Sequence, residues 1–186
     1  MEVFQAIKSM LAIRSYQERP IPDEAVTKIV EAGRLTGSSR NTQQWDFIII
    51  RDRRRLQQLG ELASTGPYLA RAPLAIAVVV PDSPIGYIDG TRAAQDMMLA
   101  AWDQEIGSNW VGNVDTSAIK VLLNIPEAKL VLTIIPFGYS AEEVGRGVKD
   151  RKRMSEVAHW ETWGQPYTGF HSHRAPTSEA AGRLWD

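Results

Sequence analysis

Four groups of residues in this chain have types and spacings suited to chemistry. The first is the run Gly37-Ser38-Ser39-Arg40-Asn41-Thr42-Gln43-Gln44-Trp45. It concentrates hydroxyls, carboxamides and backbone N–H groups, a set that fits the polar edge of a planar ligand. The second is Arg14, at the end of an amphipathic segment, and the third is the basic cluster Lys149, Arg151, Lys152 and Arg153. Either can pair with a phosphate, and arginine does so as a bidentate donor. The fourth is Trp110-Val111-Gly112, where an aromatic edge or bare backbone can lie along a flat ring. Each group also has a plain structural account. The polar run serves equally as a turn and N-cap loop, the basic cluster as a solvated surface, and Trp110 as core.

The familiar nucleophile and phosphate-loop chemistries have no matching residues. There is no cysteine, so disulfides, thiolate metal sites and cysteine nucleophiles are excluded together. No Gly-x-Ser-x-Gly elbow occurs, and no Gly-x-Gly-x-x-Gly follows a strand. His171 and His173 have a spacing that can ligate a metal from an extended strand, but no carboxylate cluster joins them. His159 beside Trp160 reads as a packing or capping residue. No metal site and no catalytic side chain is assigned. If the chain is an enzyme, a bound cofactor carries the hard chemistry.

The composition is that of a folded protein. The 186 residues are 44% apolar with a formal net charge of −1, which argues against disorder and against non-specific nucleic-acid binding. The start lacks the basic-then-apolar layout of a signal peptide. No apolar run approaches the roughly 20 residues of a membrane helix. The expected setting is cytoplasmic, with no membrane and no nucleic-acid partner.

Around the chemical groups, periodicity predicts the elements that hold them. Apolar residues at Val3, Ala6, Ile7, Met10 and Leu11 predict a helix over 3–13. Pro22-Asp23-Glu24 opens a second helix. A strand over 46–51 follows the polar loop, then a charged helix over 52–63 and a helical turn at 67–71. The run Pro73–Pro81 has the look of a central strand buried on both faces. A loop is expected over 81–91 and a helix over 91–105. A short strand at 109–113, a helix over 116–123 capped by Asp115 or Thr116, and a buried strand over 130–138 complete the reading. This pattern predicts a helix-covered mixed sheet of the α+β or α/β class.

Taken in order, these pieces resemble the FMN-dependent nitroreductase family. The similarity spans residues 3–163. It rests on Val3–Lys8 with Ile13-Arg14-Ser15-Tyr16 and Pro20-Ile21-Pro22, on the 37–45 loop, on Ala72-Pro73, on Trp110-Val111-Gly112, and on Lys149-x-Arg151 with Ser155–Trp160. The resemblance implies an α+β, nitroreductase-like three-layer sandwich with a mixed, mostly antiparallel sheet, built as an intertwined homodimer. Residues 1–163 would form the FMN-binding domain and 164–186 an extended tail, packed on the partner subunit. FMN would be the cofactor, contacted by Arg14, Ser38, Ser39, Asn41, Trp110, Val111, Gly112, Lys149 and Arg151. Arg14 matches the basic residue at the N1/C2 carbonyl side of the ring, and Lys149 and Arg151 match phosphate contacts. Ser38, Ser39 and Asn41 match a loop that reaches the cofactor from the partner chain. The implied activity is ping-pong hydride transfer from NAD(P)H through FMN to a nitroaromatic, quinone or similar acceptor. The alternative is a protein of the same fold that binds flavin without turnover. One departure motivates it: Met10-Leu11-Ala12 stands where the family often has Arg-Arg-Ser. The loss of one charge-assisted contact costs about 1.5–3 kcal/mol, unless Lys8 or Lys152 substitutes.

Overall fold

The most apolar run of the sequence becomes the middle of the sheet. In the computed structural model, which describes residues 1–142 and 149–169, strand β2 (Leu74–Pro81) is buried from Leu74 to Val80. It pairs antiparallel with β1 (Asp46–Ile50) on one side and β4 (Lys129–Gly138) on the other. The short strand β3 (Gly107–Ser108) continues the sheet beyond β4, giving the order β1-β2-β4-β3. All named pairs are antiparallel; the parallel component is an isolated bridge, Ala12 to Ser108. Leu132 of β4 has no partner in the register, a bulge opposite Val78 and Val79.

Side chains alternate across β2, and so there are two cores. Ala75, Ala77 and Val79 join Leu56 and Leu59 of α3 (Arg53–Glu61), Tyr68 and Leu69 of a 3-10 turn (Pro67–Arg71), and Ile119 of α5 (Thr116–Leu123). Leu74, Ile76, Val78 and Val80 join Val26 and Ile29 of α2 (Asp23–Leu35) with Ala94 and Met97 of α4 (Pro84–Trp102). Helices on both faces of an antiparallel sheet make the three layers of an α+β fold.

Two elements differ from the periodicity reading. Helix α1 covers only Val3–Ser9; residues beyond it run extended because Ala12 pairs with the sheet edge. Helix α4 begins at Pro84, where a loop was expected over 81–91. Pro84 occupies its first turn, and the Ser83 hydroxyl caps it by accepting from the Gly86 N–H at 3.0 Å. Gly86 and Gly90, within that expected loop, lie inside the helix. At Gly90 a Cβ would stand 2.6 Å from Val80 Cγ1 and 2.8 Å from Leu132 Cδ2, so glycine lets α4 lie close on the sheet.

The chain divides into two compact units, Met1–Gly147 and Val148–Asp186. The described part of the second unit carries α6 (Met154–Val157), where the Glu156 carboxylate accepts from the Arg153 N–H at 2.9 Å. Tyr167 N–H donates to the Ala158 carbonyl at 2.9 Å, and His159 packs against Trp163 with ring centroids 4.3 Å apart. Among the described residues no helix is long and apolar enough to cross a membrane.

Gly107 and Gly138 face each other across β3 and β4, and Ile13 and Tyr16 sit on top of them. A Cβ at Gly107 would lie 2.4 Å from Ile13 Cγ1, and one at Gly138 2.7 Å from Tyr16 Cδ1. Substituting Gly107→Ala should therefore lower stability by about 1–3 kcal/mol. A thermal melt reads this as about 2–4 °C in Tm for each kcal/mol; an unchanged Tm contradicts this packing.

Candidate functional site

The glycine pair determines where Arg14 goes. With Ile13 and Tyr16 seated on the sheet edge, the Ile13 N–H donates to the Ser108 carbonyl at 2.9 Å. The Tyr16 hydroxyl donates back to the Ile13 carbonyl at 2.6 Å. Burial, reinforced by neighbouring Tyr68 and only partly offset by Arg14, pushes the Tyr16 hydroxyl far above the ordinary tyrosine range. It therefore stays protonated and keeps donating. Ile13 and Tyr16 are buried, and Arg14 between them is exposed. Among the described residues no carboxylate forms an ion pair with it.

The parallel Ala12–Ser108 bridge runs this segment beside Asn109 and Trp110. There the chain is fixed on three sides. The Asn109 carboxamide donates to the Tyr68 hydroxyl. Val111 exchanges both backbone hydrogen bonds with Ile134 at 3.1 Å, and its carbonyl also accepts from the Thr133 hydroxyl at 3.0 Å. Val111 is buried, and its two neighbours point outward. Trp110 is 37% exposed, and its indole Nε1 lies 3.0 Å from where a Gly112 Cβ would be. Sequence-predicted Arg14, Trp110 and Gly112 thus meet on one edge of the sheet. Val111 contributes position, with its backbone already engaged.

The polar loop forms a second cluster. Its start is tied by the Thr36 hydroxyl, which donates to Asp96 at 2.6 Å. Its end is tied by Trp45, which packs on the α2–α4 core and stacks on Phe47. Between them, the N–H groups of Asn41 and Thr42 donate to the carbonyls of Ser38 and Ser39 at 3.1 and 3.0 Å. The Ser38 hydroxyl oxygen accepts from the Gln43 N–H at 2.9 Å. Three non-glycine residues, Arg40, Asn41 and Gln43, take left-handed φ values of 51°, 57° and 49°. Such backbone is uncommon and gathers at functional sites. Residues Ser39 to Gln43 are exposed, and Ser38 is half-buried.

These clusters lie at opposite ends of α4. The loop rests on Asp89, early in the helix, through the Ser39 N–H. The Trp110 edge follows directly on the other end of the helix, past Asp103 and Ile106. From Asp89 to Asp103 the helix rises about 20 Å. Lys149 and Arg151 belong to the second unit, where the Arg151 guanidinium donates to the Asp150 carbonyl at 2.7 Å. His171 and His173 lie outside the described residues.

Comparison with known proteins identifies the family. The family model described as "Putative TM nitroreductase" matches residues 2–167. The chain belongs to the nitroreductase family. A "Putative NADH dehydrogenase/NAD(P)H nitroreductase" of Methanothermobacter thermautotrophicus is 34% identical to this nitroreductase-family chain, covering 88% of each. An "FMN reductase [NAD(P)H]" of Bacillus subtilis is 25% identical over 87% of the chain and 74% of that protein. An "FMN-dependent Nitroreductase" structure from Clostridium difficile superposes with a TM-score of 0.79 at 26% identity, covering 86% of this chain and 99% of that one.

The departure at Met10-Leu11-Ala12 has a structural account in this nitroreductase. Met10 packs against the α2–α4 core and Leu11 against the opposite core, while Ala12 makes the sheet bridge. These side chains hold the extended segment down instead of reaching for a phosphate. Sequence reasoning missed Asp89, Tyr68 and Asn109. Asn109 adjoins Trp110 and was within reach of the motif; Tyr68 is 41 residues away in the chain and had no sequence signal.

Replacing Tyr68→Phe strands the buried Asn109 carboxamide. The expected cost is about 1–3 kcal/mol, measured as a lower midpoint in denaturant with an unchanged m-value. A midpoint equal to wild type would show that the Tyr68–Asn109 bond is dispensable.

Proposed function

We propose that this protein is an FMN-dependent NAD(P)H oxidoreductase that works as a homodimer, each FMN held between the sheet edge of one subunit and the polar loop of the other. The observation that carries this reading is the separation of the two clusters along α4. The loop's anchor at Asp89 and the helix end at Asp103 stand about 20 Å apart along one rigid helix, and on this reading a second copy supplies the missing half of each site. The donor set suits the cofactor. An exposed guanidinium on an anchored backbone, a part-exposed indole, a Cβ-free backbone, two hydroxyls and a carboxamide fit a planar, carbonyl-edged ring.

FMN, when bound, supplies the two-electron chemistry that no side chain here offers. The protein's residues do the rest. Arg14 places a positive charge where negative charge develops on the carbonyl edge, and it is pre-oriented by the Ile13 and Tyr16 anchors. Trp110 and Gly112 form the wall along the ring. Ser38, Ser39 and Asn41 of the partner copy hold the polar side. Lys149 and Arg151 pair with the phosphate. NAD(P)H and a nitroaromatic, quinone or similar acceptor use the same opening in alternation, which is ping-pong turnover. A second reading, flavin binding without turnover, draws on the packing of Met10 and Leu11, which leaves the first helix without a phosphate ligand.

Purified protein mixed with FMN should turn yellow and bleach on anaerobic addition of NADPH or NADH. Colour without bleaching selects the binding reading, and no uptake of FMN refutes both. Arg14→Glu and Arg151→Glu should each weaken FMN binding roughly ten- to hundred-fold, the equivalent of one charge-assisted contact.

The shared site has its own test. Homodimers of Arg14→Glu and of Ser38→Ala/Asn41→Ala subunits should each bind FMN weakly, but a mixed dimer retains one site with both halves intact. It should bind one FMN per dimer at near wild-type affinity. A mixed dimer as weak as both parents means that each site is built within one chain.

A further inference from the structure

We propose that Asp89 is the positioning residue of the polar loop: its buried carboxylate anchors the Ser39 N–H, and that anchor holds the left-handed loop in the shape that faces the cofactor. The inference rests on the flavin reading of the loop. Asp89 touches no cofactor in this scheme and acts through Ser39.

Asp89 is 1% exposed, within a helix whose neighbouring face is apolar. A carboxylate there is costly unless it accepts hydrogen bonds. Both of its oxygens face a single donor, the Ser39 N–H, at 3.1 and 3.3 Å. The placement depends on α4 starting at Pro84, because the first turns of the helix bring Asp89 against the loop. Arg92 and Asp96 extend the same stripe at helical spacing. The Arg92 guanidinium lies across Gly37, where a Cβ would stand 3.1 Å from Nη2. Asp96 takes the Thr36 hydroxyl.

Apart from the Thr36 hydroxyl's bond to Asp96 at the loop's start, the loop's other hydrogen bonds are internal to it, so they fix its local shape but not its position. The Ser39 N–H is the point where the strained part is tied to the body of the protein. Directly after it come Arg40 and Asn41 in left-handed backbone, with Gln43 following. With the anchor gone, these residues are free to return to ordinary φ values, and the Ser38, Ser39 and Asn41 groups turn away together. The Ser39 N–H, already committed to Asp89, is not one of the groups offered to a ligand.

The test compares wild type, Asp89→Asn, Asp89→Leu and Asp89→Leu/Arg40→Gly. Amide hydrogen exchange on the cofactor-free protein and FMN titration are the two readouts. Asp89→Leu should raise exchange in residues 38–45 about tenfold or more, leave α4 and the sheet protected, and weaken FMN binding about tenfold to a hundredfold. Asp89→Asn keeps a carbonyl acceptor and should restore most of both. Arg40→Gly takes the left-handed conformation without a Cβ penalty and should recover part of the affinity lost in Asp89→Leu. A purely structural role in the core would not be rescued from the loop.

Unchanged exchange at 38–45 in Asp89→Leu overturns the proposal, as does a loss of protection spread through α4 and the sheet. If Asp89→Leu does not fold, Ser39→Pro removes the same donor from the exposed side at a first helical position that tolerates proline, and Ser39→Ala retains it. Faster loop exchange in Ser39→Pro alone supports the anchor, and equal exchange in the two overturns it. If wild type takes up no FMN while Asp89→Leu still loosens the loop, the anchor stands and the flavin reading fails.

Discussion

An α-helix rises about 1.5 Å per residue, and the nineteen residues of Pro84–Trp102 therefore fix a length that neither end can alter. Much of the structure follows from this rod. Its small residues, Ala93, Ala94 and Ala101, are fully buried, so it lies close to the sheet and carries little freedom to tilt. One end presents Asp89, Arg92 and Asp96 to the polar loop. The other delivers the chain into Gly107, Ser108 and the Trp110 edge. On the proposed reading, a cofactor site divided between those ends is completed by a second copy, and dimerisation is part of how the site is built.

The two half-sites are held by different physics. The sheet edge depends on close packing: two facing glycines leave room that Ile13 and Tyr16 occupy, and Met10 and Leu11 drop into opposite cores. Overpacked or emptied positions there are felt strongly because protein interiors have little slack. The loop depends on hydrogen bonds to backbone that would otherwise relax. It contains little apolar area, so its shape comes from the Ser38, Ser39 and Thr36 contacts and the Trp45 plug. One half is rigid by volume and the other by directed polar contacts, so stability is expected to be sensitive at the first and cofactor affinity at the second.

The same division explains the chain's own variation at Met10-Leu11-Ala12. A basic pair there would offer charge to a phosphate; an apolar pair adds to two cores. Of the phosphate contacts proposed from the family resemblance, Lys149 and Arg151 remain.

Sequence alone determined a good deal. Periodicity located α2, α3, α5 and the strands β1, β2 and β4, because amphipathic faces and doubly buried runs are written locally. The family resemblance proposed Arg14, the Ser38–Asn41 loop and Trp110–Gly112 as the site, because hydrogen-bonding residues in an otherwise apolar stretch have few structural uses. Tertiary structure decided what local pattern does not encode. The stretch 81–91 was expected to be a loop, and only the closeness of Val80 and Leu132 shows Gly90 to be a helix–sheet contact. Asp89 seemed to sit in a loop, and only the early start of α4 turns it inward beneath Ser39. Tyr68 and Asn109 meet across a long stretch of chain. The separation of the two half-sites is likewise a property of a folded rod, because the distance between Ser38 and Arg14 along the sequence bears no relation to their distance in space.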